Sequence, residues 1–389
     1  MSIFIIGAGM GDNDTMTRGA LKKIEEADLI IGAKRITEPF LSVDKKVIFE
    51  YDADRVEELL KNGGYNNAAV IFSGDISFYS GAKRLIERFP EAKLYAGISC
   101  VAYFCAKIGM SYDDMNIIST HGRKCNIVSE VRTHKKTFVL LGENPCKKLT
   151  EYGLGNVKVH IGERLSYSDE KITSGLARDF SGADIDKLSV IVIENEDYNN
   201  SLQIGINDEK FIRGDAPMTK SEVRCVSISR LGIKADDICW DIGAGTGSVT
   251  VEMALLCGRG MVYAVEKNPS AAELIHSNCK KFMTDNVTVI EDTAPECLDG
   301  LEAPDKVFIG GSSGNVRKII EAALAKNKSA QFVINAISLE TLTETLEAVK
   351  ALNMEYEISQ ISVSRGNVIG KYNMMKGLNP VYIISAKRR

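Results

Sequence analysis

Short apolar runs alternate with amphipathic stretches along the chain, and this alternation predicts secondary structure before any motif is considered. In the first half, the stretches 21–27 and 56–60 have the spacing of amphipathic helices. The apolar runs that predict strands in this half lie at 29–31, 69–72, 137–141, 157–161 and 188–193. Strands that alternate with helices are typical of a parallel α/β sheet, and the last three runs predict a second, smaller sheet layer.

A polar, turn-rich segment at 198–210 interrupts the pattern and indicates a linker. We therefore predict two domains, at 1–200 and 210–389. In the second domain a helix is predicted at 219–231, and strands are predicted at 238–242, 262–266, 287–290, 306–309, 331–335, 355–363 and 381–385. The last two, joined by a short crossing at 367–379, predict an antiparallel hairpin. The halves share no period or order of motifs, which indicates a fusion and not a duplication.

Composition narrows the class of protein. The 389 residues are 44% hydrophobic and 26% charged, as in ordinary soluble globular domains. A formal net charge of −4 argues against a broad nucleic-acid-binding surface. The nine cysteines include no C-x-x-C pair, so we expect reduced thiols and no metal site. No apolar run approaches the ~20 residues of a membrane span and the N-terminus lacks a basic leader, so we expect a cytoplasmic protein without a membrane partner.

The segment 240–251, WDIGAGTGSVTV, places three alternate glycines between a predicted strand and a predicted helix. This layout is typical of a nucleotide-type cofactor site. The next strand ends in Glu266, about 20 residues after Gly247, where a carboxylate accepts hydrogen bonds from a ribose diol. A dinucleotide fingerprint has its third small residue three positions after the second glycine, and here that position is Ser248. The pattern resembles class I methyltransferases, which use S-adenosylmethionine (SAM), more than dehydrogenases.

The second half resembles, nearly end to end, the decarboxylating precorrin carbon-15 methyltransferases. The resemblance is carried by PMTKSEVR at 217–224, DIGAGTGSVTVE at 241–252, AVEKNP at 264–269, TAPE at 293–296, FIGGSSG at 308–314, VINAISLE at 333–340 and VSR at 363–365. It implies a Rossmann-like class I sheet in which SAM is bound by Thr219, Gly243, Ala244, Gly245, Thr246, Gly247, Glu266 and Ala294. Thr293 stands where many class I enzymes have an aspartate near the adenine. We expect Ser312, Asn335 and Arg365 to contact the substrate.

The first half resembles the tetrapyrrole (class III) methyltransferases. The motifs, in order, are GAGMGD at 7–12, SGDISFYS at 73–80, AGISC at 96–100 and STHGR at 119–123. Met10, Ile76 and Ala96 stand where that family usually has prolines. The resemblance implies a fold of two α/β lobes with SAM between them, and it implies the cofactor-binding residues Asp75, Phe78, Ser99 and Cys100.

The tract around STHGR, with ERLSYSDE at 163–170, is similar to the precorrin carbon-5 methyltransferases. Precursors of the corrin ring carry several acetate and propionate carboxylates. Arg123 could pair with one carboxylate bidentately and His121 could donate a hydrogen bond to another, so we expect both to contact the substrate.

Together the two resemblances imply methylation of a precorrin or cobalt-precorrin at carbons 5 and 15, with loss of the ring-C acetate carboxyl, in cobalamin biosynthesis. We expect one SAM per domain, no nucleic-acid partner and a homo-oligomer. The nucleophile would be an electron-rich meso carbon, which needs no strong base, and no residue is assigned as catalytic or as proton donor. Three alternatives remain open: an RNA methyltransferase with an accessory domain, a nicotinamide-dependent tetrapyrrole reductase, and a protein in which only the second domain is active.

Overall fold

The structure of the chain, a computed structural model, describes residues 2–12, 14–41, 45–120, 125–201 and 204–389. The first lobe comprises β1 (Ser2–Gly7), α1 (Arg18–Glu26), β2 (Leu29–Gly32), α2 (Lys34–Thr37), β3 (Lys46–Phe49), α3 (Ala53–Asn62), β4 (Asn67–Phe72), α4 (Ala82–Arg88) and β5 (Lys93–Tyr95). Its five strands are parallel, in the order β3-β2-β4-β1-β5. The apolar residues of β1 are buried, as in parallel sheets that are covered on both faces.

The second lobe contains a mixed sheet. Its elements are α5 (Cys100–Ile108), β6 (Asn116–Ser119), α6 (Ile127–Thr133), β7 (Lys136–Leu140), α7 (Cys146–Glu151), β8 (Lys158–Glu163), β9 (Lys171–Leu176) and β10 (Ser189–Glu194). The strand order is β6-β7-β10-β8-β9, and only the pair β6 and β7 is parallel. This sheet corresponds to the predicted second layer, extended by β6 and β9.

The remaining elements form a larger α/β unit. They are α8 (Ser221–Leu231), β11 (Ile238–Ile242), α9 (Ser248–Leu256), β12 (Met261–Val265), α10 (Pro269–Lys281), β13 (Val287–Ile290), β14 (Lys306–Ile309), α11 (Val316–Lys326), β15 (Gln331–Ala336), α12 (Leu339–Ala351), β16 (Met354–Ile361), β17 (Ser364–Ile369), β18 (Tyr372–Gly377) and β19 (Val381–Arg388). Seven strands form one sheet in the order β13-β12-β11-β14-β15-β19-β16, in which β19 is antiparallel to both neighbours. The α/β fold class, with two lobes followed by a Rossmann-like sheet, is confirmed.

One prediction for this sheet is wrong. The segment expected to be a short crossing at 367–379 instead contributes most of β17 and β18, which pair as a separate antiparallel ribbon. Every residue of β18 is exposed, so no buried face imposes an alternation of apolar and polar residues that the sequence could reveal. Among the described residues, no helix combines the length and apolar character that crossing a membrane would require.

A buried ion pair holds the segment that connects the two halves of the chain against the C-terminal α/β unit. Arg224 Nε lies 2.5 Å from Glu252 Oε1, and both side chains are fully buried. Glu252 also accepts hydrogen bonds from the backbone N–H groups of Gly205 and Ile206, each at 2.9 Å. Arg224 Nη1 donates to the carbonyl oxygen of Thr219 at 2.6 Å. Because breaking a buried pair leaves an uncompensated charge, this contact holds the chain firmly where it enters the second half.

The two halves contact each other at the amino ends of strands β12 and β13. Asn126, just before α6, donates from Nδ2 to the carbonyl oxygens of Gly258 and Gly260, at 2.7 and 2.8 Å. Gly258 and Gly260 precede β12, so this contact lies at the edge of the C-terminal sheet where its parallel strands begin.

Asp285 makes a second contact of the same kind, just before β13. Its buried carboxylate accepts from the backbone N–H groups of Val128 and Ser129 in the first turn of α6, each at 3.3 Å. The same carboxylate lies 2.8 Å from Lys148 Nζ. A carboxylate at a helix N-terminus satisfies otherwise unpaired N–H groups, so one half of the chain caps a helix of the other.

Candidate functional site

A cavity of about 610 Å³ lies at the carboxyl edge of β11, β12, β14 and β15. In open parallel sheets this edge is where ligands bind. The sequence-predicted site residues that line it are Thr219, Gly243, Ala244, Gly245, Glu266, Ala294, Ser312 and Asn335. Thr246 and Gly247 lie in the same turn but outside the lining.

The glycine turn is shaped by backbone conformations that favour glycine. Gly243, Gly245 and Gly247 have φ angles of +72°, +58° and +76°. A Cβ atom on Gly245 would lie 2.5 Å from the carbonyl oxygen of Pro217, and one on Gly243 would lie 2.6 Å from that of Gly311. The cradle is therefore formed by backbone segments in close approach, which leaves space for a ligand against the main chain.

Glu266 is held at the wall of this cavity by the turn itself. Its Oε2 accepts from the backbone N–H of Gly245 and its Oε1 from that of Asn268, each at 2.9 Å. Two main-chain bonds fix the carboxylate and leave lone pairs on both oxygens for a diol. The geometry is compatible with the ribose of SAM, and the cofactor contact of Glu266 stays a prediction.

Two buried polar side chains in the cavity lining are incompletely paired within the described residues. Asp241 accepts from the Thr250 hydroxyl through Oδ2, but its Oδ1 has no partner. Burial raises the pKa of Asp241 to about 7. Asn335 lies with Oδ1 3.0 Å from Ser227 Oγ, and its Nδ2 is unpaired. Buried polar atoms without partners are typical of a site for a polar ligand, and the unpaired Asp241 oxygen is compatible with the positively charged end of SAM.

The loop after β14 and the loop after β13 supply further lining residues. Ser312 Oγ accepts from the backbone N–H of Gly314 at 3.3 Å, and Ser313 Oγ accepts from Lys267 Nζ at 3.1 Å. Asp292 lines the cavity beside Thr293. The sequence has Thr293 where many class I methyltransferases have an aspartate. In the structure, Asp292 supplies a carboxylate at the preceding position.

Arg365 lies outside the cavity lining, near the start of β17 in the exposed ribbon. Its Nε donates to Glu222 at 2.9 Å, and its Nη2 lies 2.9 Å from Asp208 Oδ2 and 3.2 Å from Ser221 Oγ. Hydrogen bonding to Arg365 lowers the pKa of Glu222 to about 2. In this structure Arg365 attaches the ribbon to the start of α8, and its substrate contact stays a prediction.

A second cavity, of about 470 Å³, lies between the two N-terminal lobes. Among the cofactor residues predicted for this half, Cys100 lines it and Asp75, Phe78 and Ser99 do not. Burial raises the pKa of the Cys100 thiol to about 12, so the thiol is neutral at physiological pH. Ser119, at the end of β6, also lines this cavity, whereas His121 and Arg123 lie outside the described residues.

The other three predicted residues hold the surrounding loops. Asp75 accepts from the backbone N–H groups of Ser77 and Gly97, at 2.9 and 3.0 Å, and so joins the second motif to the third. Burial raises its pKa, but these bonds and the Ser77 hydroxyl outweigh burial and lower it below the usual value. Ser99 caps α5, and the Phe78 ring packs 6.4 Å from that of Phe138. These contacts shape the cleft without touching the cavity.

The tract 163–170 closes the cleft from the second lobe. Ser166 Oγ donates to the carbonyl oxygen of Met10 at 2.9 Å, which joins this tract to the first glycine turn. Glu170 accepts from the backbone N–H of Ser166 and from the hydroxyl of Tyr103, each at 2.7 Å. Across the described ranges, no three His, Cys, Asp or Glu side chains are grouped as a metal site would require.

Comparison with known proteins gives matches to two sequence families in separate parts of the chain. Residues 210–388 match the sequence model of the precorrin methyltransferase domain, and residues 2–181 match that of the tetrapyrrole (corrin/porphyrin) methylases. The "Probable cobalt-precorrin-6B C(15)-methyltransferase (decarboxylating)" of Pyrobaculum calidifontis is 42% identical over 185 residues, which are 47% of this chain and 95% of that protein.

Two further relatives extend the comparison. The "Precorrin-6Y C(5,15)-methyltransferase [decarboxylating]" of Sinorhizobium sp. is 27% identical over 391 residues, which cover 96% of this chain and 92% of that protein. The crystal structure of precorrin-6Y C5,15-methyltransferase from Geobacter metallireducens is 42% identical, covers 48% of this chain and 97% of that chain, and has a TM-score of 0.46. The chain belongs to the precorrin methyltransferase family, a SAM-dependent class of enzymes, and carries a tetrapyrrole methylase domain in the same polypeptide.

Proposed function

We propose that this protein methylates a precorrin or cobalt-precorrin at carbons 5 and 15 and removes the ring-C acetate carboxyl, in cobalamin biosynthesis. The observation that carries the proposal is the similarity to the Sinorhizobium enzyme along 96% of the chain, through both domains. Two separate cavities, of about 610 and 470 Å³, support one SAM in each domain. We place carbon-15 methylation and decarboxylation in the second domain and carbon-5 methylation in the first.

In the second domain, the glycine turn and Glu266 would hold the ribose, and Asp241 would face the positively charged end of SAM. Ser312 and Asn335 line the same cavity and would contact the tetrapyrrole. SAM supplies the methyl group from its sulfonium, so the protein's main task is to bring the ring carbon close to that methyl group in the required orientation. The conjugated ring would accept the electron pair left on the acetate carbon as carbon dioxide departs, and that carbon would then take up a proton to become a methyl group. The cavity would partly desolvate the carboxylate before it leaves.

In the first domain, we propose that SAM binds in the cleft between the lobes, at the loops that Asp75, Phe78, Ser99 and Cys100 organise. His121 and Arg123 would contact the substrate carboxylates. As a biosynthetic enzyme of this family, the protein would act in the cytoplasm.

The product of the full-length protein tests the proposal. Incubation with SAM and either metal-free or cobalt-loaded precorrin is expected to yield, by mass spectrometry, two added methyl groups and the loss of one carbon dioxide. Reactions without SAM are the control. A single methyl gain without decarboxylation would contradict the assignment of the second domain.

Matched assays address the alternatives. Methyl transfer to RNA but not to a tetrapyrrole would favour the RNA methyltransferase. A rise in melting temperature with NADH but not with SAM would favour the reductase. One SAM bound per chain in calorimetry, instead of two, would show that one domain lacks a SAM site.

We also propose that the protein is a homo-oligomer. The ribbon formed by β17 and β18 exposes large apolar side chains, with Val368 71%, Tyr372 76% and Met375 67% accessible. Large apolar side chains exposed in this way often mark a contact between subunits. Light scattering after size-exclusion chromatography is expected to give a multiple of 42.6 kDa, and Val368→Ser with Tyr372→Ser is expected to reduce it. A monomeric wild-type protein would exclude the proposal.

A further inference from the structure

Arg35 stands on the wall of the N-terminal cavity, at a position that no sequence motif identified. It belongs to α2, directly after β2, and it lines the cavity together with Met10, Ser73 and Tyr167. The first two of these residues come from glycine-turn loops of the first lobe, and Tyr167 comes from the second lobe.

Three contacts fix the guanidinium. Nη1 donates to the carbonyl oxygen of Met10 at 3.0 Å, and Nη2 donates to Ser73 Oγ at 2.8 Å. The guanidinium carbon lies 4.8 Å from the centre of the Tyr167 ring. A Cβ atom on Gly11 would lie only 3.2 Å from Nη1, so the glycine there makes room for the arginine. The side chain is therefore held in one place before any ligand arrives.

The charge of Arg35 is not neutralised by the described part of the chain, in which no carboxylate forms an ion pair with it. Arg164 also stacks on Tyr167, with its guanidinium carbon 4.6 Å from the centre of the ring. Unlike Arg35, it is paired with a carboxylate, because its Nε lies 2.7 Å from Asp169 Oδ2. A guanidinium has five N–H donors, and the two hydrogen bonds of Arg35 leave three of them available. Within the described ranges, Arg164 is therefore paired with a carboxylate and Arg35 is not.

We propose that Arg35 binds a peripheral carboxylate of the tetrapyrrole in the N-terminal cavity and so sets its orientation there. This inference rests on the proposed function, because that function requires a carboxylate-fringed ring in this cavity. A preorganised guanidinium matches a carboxylate with two parallel hydrogen bonds. Lys187, an exposed residue of the second lobe, lines the same cavity, so cationic side chains stand on both lobes that enclose it.

The test compares Arg35→Gln with Arg164→Gln in the full-length protein. Loss of one charged hydrogen-bonding group typically weakens binding about 10- to 100-fold, so Arg35→Gln is expected to weaken precorrin binding by that factor. Arg164→Gln, which stacks on the same ring but is paired, is expected to change it by less than about 3-fold. SAM titration should give wild-type affinity and stoichiometry in both variants, which shows that the fold is intact.

A second readout separates carboxylate recognition from a structural effect on the loop. Wild-type protein is expected to prefer precorrin to its peripheral methyl esters, and Arg35→Gln is expected to lose most of that preference. Equal precorrin binding by Arg35→Gln and wild type, or an unchanged preference over the esters, would overturn the inference. If wild-type protein does not bind precorrin at all, the proposed function itself fails.

Discussion

Alanine at Gly245 is expected to eliminate SAM binding in the C-terminal cavity, so that calorimetry of the full chain detects one bound SAM instead of two. The new Cβ would lie 2.5 Å from the carbonyl oxygen of Pro217, and the φ angle of +58° disfavours any side chain. Relief of that contact requires the segment that begins at Pro217, which lines the cavity, to move away. Because the displaced segment lines the cavity, the overpacking is expected to lower SAM affinity at least about 100-fold, whereas the left-handed conformation adds a cost in stability.

Gly232 offers a matched control for this substitution. Its φ angle is also +58°, but a Cβ there would meet nothing within 4 Å. Gly232→Ala is therefore expected to carry the cost of the left-handed conformation, about 1–2 kcal/mol of stability, without loss of SAM binding. Two SAM sites in Gly245→Ala, or an equal loss in Gly232→Ala, would show that the close approach to Pro217 is not what forms the cradle.

Asparagine at Asp241 is expected to stabilise the free protein above pH 7 and to weaken SAM binding about 10- to 100-fold. Burial raises the pKa of Asp241 to about 7, against an ordinary value of 3.8. The native state thus retains a proton between pH 3.8 and 7 that the unfolded state has lost, so stability falls as pH rises through that range. The difference amounts to about 4 kcal/mol at alkaline pH, as an upper bound, and asparagine removes it.

The same titration makes SAM binding depend on pH. Ionised Asp241 attracts the cationic end of SAM, so wild-type affinity is expected to rise between pH 6 and 8 and to level off above that range. In Asp241→Asn this rise should disappear. Asp237→Asn, at the residue directly before the same strand, is the control and should keep it. An Asp241→Asn protein with wild-type affinity and pH profile would contradict a direct role in binding.

The sequence predicted those parts of the fold in which burial imposes a pattern. The central strands β4, β11 and β12 were predicted from mostly apolar runs, because helices cover both faces of a parallel sheet. The unpredicted strands β5 and β9 contain no buried residue, and β18 is exposed throughout. Strands of this kind are stabilised by pairing with a neighbour, which a single sequence does not display.

In the candidate site, too, local features could be predicted from the sequence and long-range contacts could not. The turn from Gly243 to Gly247 was predicted because its chemistry is local: five successive residues define it. Arg365 was expected at the substrate, but its partner Glu222 stands 143 positions earlier in the chain. Asp241 and Arg35 were missed because what distinguishes them, an unpaired oxygen and an unpaired charge inside a cavity, depends on residues that the fold brings together.

The position of Asn126 and Asp285 has a consequence for how two reactions share one polypeptide. Both attach the N-terminal lobes to the C-terminal sheet where β12 and β13 begin, whereas the larger cavity opens where those strands end. The length of the parallel strands therefore separates that cavity from the contacts of Asn126 and Asp285, and a direct passage between them would have to run along the sheet core. If both domains act as proposed, the fusion keeps them close together and in equal numbers, and the intermediate would pass between the two cavities through solvent and not through the interface.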